Sequence, residues 1–299
     1  MPQQYNRLHI YGALAAGLIA FGFAPILVRF ASDTSPIVLV TYRTVFAALF
    51  LLPYWLFKRE PVRRRISKTE HTQVGLAGVC LGLHFTFWIS SLYYTSVASA
   101  SVLVTIHPIL VIVVERFLFK RSFAAATWLG VAMAFGGSVL LSISDSQTAQ
   151  PFADPLFGNF LAFLAAVIFV AYLFLGQKVR QNREWIDYVF PVYSYAAVTC
   201  LILVLLLGEN LFNISMIGLW VGVGLAAGPQ IIGHGSMNYA IKFISPTLLS
   251  TLILVEPLLA SVLAFFIFAE LPPLVSIVAM TVIMIGIALT WRRTKDAKK

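Results

Sequence analysis

Two trios of polar side chains interrupt otherwise apolar stretches of this 299-residue chain: His84, Trp88 and Ser91, then Gln230, His234 and Asn238. Both recur at helical spacing, so each trio shares one helix face. Imidazole, indole, amide and hydroxyl groups set out this way can hydrogen-bond a polar ligand and stack on a ring. The plainer account is helix packing, because Gly222, Gly224, Gly228, Gly233 and Gly235 admit a close neighbour. The same glycines weaken the helix and let it bend around a site. Trp88 lies well inside its apolar stretch, whereas Trp55, Trp128, Trp185, Trp220 and Trp291 lie nearer the ends, as interfacial anchors do.

A second set is linked to proline. Ser101 and Thr105 precede His107-Pro108, and Ser250 and Thr251 precede Glu256-Pro257. Each proline removes a backbone hydrogen bond and can kink its helix, which frees carbonyls for a ligand or for the nearby hydroxyls. Kinks alone also account for Pro108 and Pro257. Glu256 is the carboxylate nearest the middle of an apolar stretch, and Arg43 the most deeply placed guanidinium. Two readings are open: a buried pair holding two helices, formed by Glu256 with Arg43 or with a histidine such as His107, or a carboxyl that carries a proton. Phe21, Phe23, Phe163, Phe169 and Tyr172, with Trp88, Tyr94 and Tyr239, would complete an apolar pocket with few fixed charges. His84, His107 and His234 fall in three separate stretches, and Cys80 and Cys200 sit singly in apolar runs. That gives no nucleophile–base set and no metal-ligand spacing, so no catalytic residue, metal or cofactor is expected.

The elements that must position these groups follow from composition. The chain is 60% hydrophobic and 11% charged, with a mean hydropathy of +0.88. It needs a bilayer as its solvent. Ten apolar runs are long enough to cross one, at about 10–30, 36–57, 73–93, 97–118, 124–143, 156–177, 187–207, 217–239, 245–268 and 272–291. Helices are expected, since backbone amides in lipid must be satisfied within the segment. The first run is expected to be a retained span rather than a cleaved leader, with no soluble domain before or after the membrane part.

Charge sets the orientation. Of 21 basic residues, all but Arg29 and Arg43 fall on one side of a ten-span arrangement. Lys58, Arg59, Arg63, Arg64, Arg65 and Lys68 lie between spans two and three, and Arg116, Lys120 and Arg121 around the turn after span four. Lys178, Arg180, Arg183 and Lys242 follow, with Arg7 and the tail from Arg292 to Lys299. The positive-inside rule then predicts cytoplasmic N- and C-termini. The net charge of +9 is explained by topology, and no nucleic-acid partner is expected. The expected partners are lipid and a small-molecule substrate.

The chain also repeats itself. Adding 149 carries Ser96 to Ser245, Ser101 to Ser250, Leu103 to Leu252, Pro108 to Pro257, Phe117 and Phe119 to Phe266 and Phe268, and Gly137 and Leu140 to Gly286 and Leu289. The expected units are residues 1–149 and 150–299, joined by a polar linker from Ser144 to Pro155 that lacks Lys and Arg. Five spans is an odd number, so the second unit enters the membrane from the opposite side. The fold class is therefore all-α integral membrane, ten transmembrane helices as two inverted five-helix repeats. Such repeats, meeting near mid-membrane, are the usual construction of secondary transporters.

This pattern resembles the drug/metabolite transporter superfamily in its ten-helix EamA-type form. The matching residues are Ser91-Leu-Tyr-Tyr94, Ala98-Ser-Ala100, Pro108 and Gly137 in the first unit. In the second they are Tyr239-Ala-Ile-Lys-Phe243, Ser245-Pro246, Glu256-Pro257, Glu270 and Gly286. Arg121 departs from the family, whose first repeat often has an acidic residue there. Spans one and six lack the carboxylate through which the four-helix multidrug relatives work. Within the superfamily the chain is most similar to the bacterial aromatic amino acid exporters. The resemblance implies alternating-access export of small metabolites, aromatic or other hydrophobic amino acids above all, across the inner membrane. Export of cationic drugs or other amphipathic compounds is the alternative. A nucleotide-sugar carrier, a membrane enzyme and a receptor rank lower.

Overall fold

The structure is a computed structural model that describes residues 7–58, 67–146, 152–244 and 246–292. Arg59 and Arg63 to Arg65 of the basic loop, linker residues 147–151, Ser245 and the tail from Arg293 lie outside the described residues. The apolar runs are helices: α1 (Arg7–Phe30), α2 (Pro36–Phe57), α3 (Lys68–Tyr94), α4 (Val97–Phe117), α5 (Ala125–Ser146), α6 (Pro155–Arg180), α7 (Trp185–Leu207), α8 (Met216–Ala240), α9 (Pro246–Ile253 and Val255–Phe268) and α10 (Leu274–Arg292). Seven are long and apolar enough to cross a membrane, and α5, α9 and α10 supply the shorter apolar helices Ala125–Gly137, Val255–Phe268 and Leu274–Gly286. Their starts are set locally. Ser67, Ser96, Asp154 and Ser215 each accept a hydrogen bond from the amide three residues on, which satisfies one orphan donor of the first turn. Large apolar side chains such as Leu49, Val198, Ile202, Val262 and Phe265 face outward, as surface in contact with lipid does.

The duplicated register is reproduced in backbone detail. Helix α4 breaks after Val104 and α9 after Ile253, positions 149 apart. Pro108 and Pro257 lack the amide that would bond those two carbonyls, so each helix tightens and restarts. After each restart the helix ends in the same cap. The Arg121 amide donates to the Glu115 carbonyl and the Glu270 amide to the Ala264 carbonyl. The residue before each, Lys120 (φ 54°) and Ala269 (φ 53°), is left-handed. This is the geometry that carries a chain away from a helix end.

The main contacts between the halves come in matched sets. Helix α3 packs on α6 and α7, as α8 packs on α1 and α2; α4 packs on α6, as α9 packs on α1. The pairs α2–α7, α4–α9 and α5–α10 map onto themselves. A pseudo-two-fold axis that exchanges the halves generates this pattern. Between α5 and α10 the duplicated glycines make the contact: a Cβ on Gly286 would come within 2.7 Å of the Gly130 carbonyl oxygen, and one on Gly137 within 2.7 Å of Ile283 Cγ1.

Candidate functional site

Where the halves meet, one cavity is lined by Phe21 and Ala24 of α1, Arg43 of α2, and His84, Phe85 and Trp88 of α3. Val104, Thr105 and His107 of α4, Phe169 of α6, His234 of α8, and Ile253 and Glu256 of α9 complete it. The symmetry is visible in the lining, since Val104 and Ile253, and likewise His107 and Glu256, are 149 apart. The space open to the centre of a water-sized sphere is ≈ 40 Å³, room for roughly three waters. A larger ligand requires the cavity to widen.

The walls are rings. His234 meets Phe21 and Phe85 edge-on at 4.8 Å between centroids, His107 meets Phe169 at 4.8 Å, and His84 lies 5.0 Å from Phe169. His84 Nδ1 lies 3.0 Å from the Ala165 carbonyl. A carbonyl only accepts, so Nδ1 carries the proton.

Arg43 is the polar centre of this box. Only 1% of it is exposed, and it presses its guanidinium on the Phe85 ring, 3.7 Å from the centroid. Its Nε donates to Gln230 Oε1 at 3.1 Å. Glu256 shares the cavity, but no ion pair within 4.0 Å joins it to Arg43 or to a histidine among the described residues. The guanidinium and the carboxyl therefore face one space without closing it. Arg43 Nη1, Trp88 Nε1 and His234 Nδ1 are buried and find no hydrogen-bond partner.

Several expected site residues stand behind the cavity rather than on it. Gln230 braces Arg43. Tyr172 accepts from Asn238 Nδ2 at 2.6 Å, and Asn238 Nδ2 also donates to the His234 carbonyl. Ser91 donates to the Trp88 carbonyl within its own helix. Ser101 and Ser250 are buried in α4 and α9, and Tyr94 packs edge-on against Phe157 away from the cavity. Phe23 is corrected outright: it is 45% exposed on the outer face of α1, whereas Phe21, two residues earlier, lines the cavity. Two residues along a helix turn a side chain by about 200°. The trio on α8 is split because Ala226–His234 is a π-helical segment containing Pro229, which shifts the register between Gln230 and Asn238. Phe85 and Tyr193, whose hydroxyl donates to the Gln230 carbonyl at 2.7 Å, were not anticipated. The signal for Phe85 was Arg43 itself, since a guanidinium inside a span needs an acceptor or an aromatic face.

Polar clusters tie the elements at both ends. On the face bearing the end of α1, Arg29 donates to the Thr95 carbonyl at 2.6 Å and lies 3.9 Å from Glu270. Glu270 accepts the Val97 amide at 2.6 Å. On the opposite face Arg180, at the end of α6, donates to the carbonyls of Asn238 and Arg183. Arg183 forks onto both oxygens of Glu70, which holds its guanidinium above its ordinary value by hydrogen bonding. Arg29 and Arg180 occupy matching places: each closes the first helix of its half onto the end of the third.

Comparison with known proteins returns the same architecture. The model of the EamA-like transporter family matches residues 8–143 and again 156–292. The chain is 23% identical over 282 residues to a protein of Archaeoglobus fulgidus named an uncharacterized transporter, covering 94% of this chain and 95% of that one. It is 22% identical over 286 residues to YedA of Escherichia coli, named an uncharacterized inner membrane transporter, covering 94% and 90%. A solved crystal structure superposes with a TM-score of 0.68 at 18% identity, covering 98% of this chain and all of that one.

Proposed function

The chain belongs to the EamA-like transporter family, and on that premise we propose that it exports small hydrophobic amino acids, aromatic ones foremost, by alternating access. The observation that carries this reading is the cavity itself. Rings from both halves (Phe21, Phe85, Trp88 and Phe169) enclose a guanidinium and a carboxyl group that form no ion pair with each other. An amino acid offers the matching parts: an apolar body, a carboxylate and an ammonium. The face bearing Lys68, Lys120, Arg180 and Arg183 is the cytoplasmic one in this reading, with both termini on it. A permanently cationic drug fits less well, because the Arg43 guanidinium would repel it across the same small space.

The test is counterflow in proteoliposomes with a panel of labelled amino acids. Exchange of phenylalanine, tyrosine, tryptophan and leucine is expected. A quaternary ammonium that exchanges while none of the panel does would reverse the assignment. Trp88→Ala refines it. Loss of a stacking partner is expected to weaken aromatic substrates about tenfold more than aliphatic ones, read as the half-saturating concentration for each. Equal loss for both would remove stacking from the account.

A further inference from the structure

We propose that Arg43 is the residue that selects the substrate, by receiving a carboxylate on its free edge with Trp88 Nε1–H as the second donor. This deepens the reading of the cavity as a substrate site and rests on it, but does not depend on the substrate being aromatic.

The guanidinium is built in rather than accidental. Phe85 supports its face, and Gln230 Oε1 accepts from Nε. That bond fixes the amide, leaving Gln230 Nε2 as a donor that cannot serve as counter-charge. Gln230 is held in turn through its own carbonyl, which accepts the Tyr193 hydroxyl. The head of Arg43 is thus oriented by three neighbours from α3, α7 and α8, and none of them carries a negative charge. A buried cation is costly unless paired. Among the described residues Nη1 has no partner, and Glu256 of α9, which shares the cavity, stays beyond ion-pair distance. Trp88, on the same wall, has an indole N–H with no acceptor. Two buried donors on one cavity wall, one of them charged, define a place for an anionic acceptor.

The charge count narrows the acceptor to a carboxylate. Arg43 is the single Lys or Arg among the lining residues, and Glu256 lies in the same cavity. A phosphate with two negative charges would meet a single cation, with a carboxyl group across the cavity in place of a second one. A monoanion that also bears an ammonium meets both partners, the carboxylate at Arg43 and the ammonium at Glu256. The faces of the Phe21, Trp88 and Phe169 rings then take the side chain.

The experiment uses the purified full chain and compares four ligands that share one ring: phenylalanine, phenylalaninamide, phenethylamine and 3-phenylpropionate. Inhibition of counterflow is measured for the wild type, Arg43→Lys and Arg43→Gln. In the wild type, removing the carboxylate charge is expected to cost about 100-fold in affinity, as for a buried charge-assisted pair losing one member. In Arg43→Gln the acid and the amide should bind alike, within a few-fold, and Arg43→Lys should restore part of the preference. Retained amide binding by Arg43→Gln shows that the variant is folded. Equal affinity of acid and amide in the wild type overturns the proposal, as does an Arg43→Gln variant that weakens both equally, and so does failure of every carboxylate to bind. If aliphatic acids compete with the same dependence on Arg43 while aromatic ones do not, the anchor stands and the aromatic preference falls. If phenethylamine binds every variant equally and the acids do not bind, the anchor falls and a cation transporter remains.

Discussion

Glu256→Gln is expected to abolish accumulation driven by a proton gradient while leaving exchange at saturating substrate within a few-fold of wild type. The argument starts from position. Glu256 is the carboxylate lining the cavity, 7% exposed, on the helix restart that follows the break in α9. Among the described residues no ion pair within 4.0 Å fixes it in one charge state. A carboxyl that faces alternating sides can load a proton on one and release it on the other. An amide of the same size cannot, yet its carbonyl still accepts from a substrate ammonium. Coupling and binding are thereby separated in one substitution. Uptake should be followed in proteoliposomes with an imposed pH difference, then with substrate on both sides and none. Undiminished uphill transport by Glu256→Gln would show that coupling runs through another group. Loss of exchange together with accumulation would make Glu256 a binding residue only.

Gly286→Leu and Gly137→Leu are expected to disrupt folding strongly, whereas Gly136→Leu, one residue away, should be tolerated. A Cβ at Gly286 would lie 2.7 Å from the Gly130 oxygen and 2.9 Å from the Ala134 nitrogen, and one at Gly137 3.0 Å from the Ala279 oxygen. These are backbone atoms of the facing helix and cannot turn aside, so α5 and α10 must separate. Overpacking of this kind costs about 1–3 kcal/mol at well-packed positions, and leucine adds further atoms to the clash. A Cβ at Gly136 meets nothing within 4 Å. The measurement is monodisperse yield and Tm of the three variants in one detergent. Similar behaviour of Gly136→Leu and Gly137→Leu would mean that α5 and α10 do not touch at the duplicated glycines.

Much of this arrangement was legible in the chain. A bilayer imposes one solution on long apolar runs, so the ten spans are recovered to within a few residues at most ends. The duplication is legible for the same kind of reason: Pro108 and Pro257, or Gly137 and Gly286, are residue types whose effect is local and independent of their neighbours. Facing is a different matter. A helix that is apolar all round gives no azimuth, which is why Phe23 was expected beside Phe21 in the pocket although it faces outward. The partner of Arg43 depends on how α2, α3 and α8 are rotated against one another, and span-by-span periodicity carries no information on that. The even spacing of Gln230, His234 and Asn238 misleads because a π-helical turn at Ala226–His234 changes the number of residues per turn between them. Gly228-Pro229 was the local sign of irregular backbone.

The most direct test of the account is the sidedness of two loops that the duplication makes equivalent. Asp33, after α1, and Asn182, after α6, are both exposed. Each is replaced singly by cysteine, as Asp33→Cys and Asn182→Cys, in a chain lacking Cys80 and Cys200, and labelled in intact cells with a thiol reagent that does not cross membranes. The inverted arrangement predicts labelling of Asp33→Cys from outside and of Asn182→Cys only after the membrane is opened. Labelling of both from the same side would mean that the halves run parallel, and a single cavity shared about an in-plane two-fold axis could not exist.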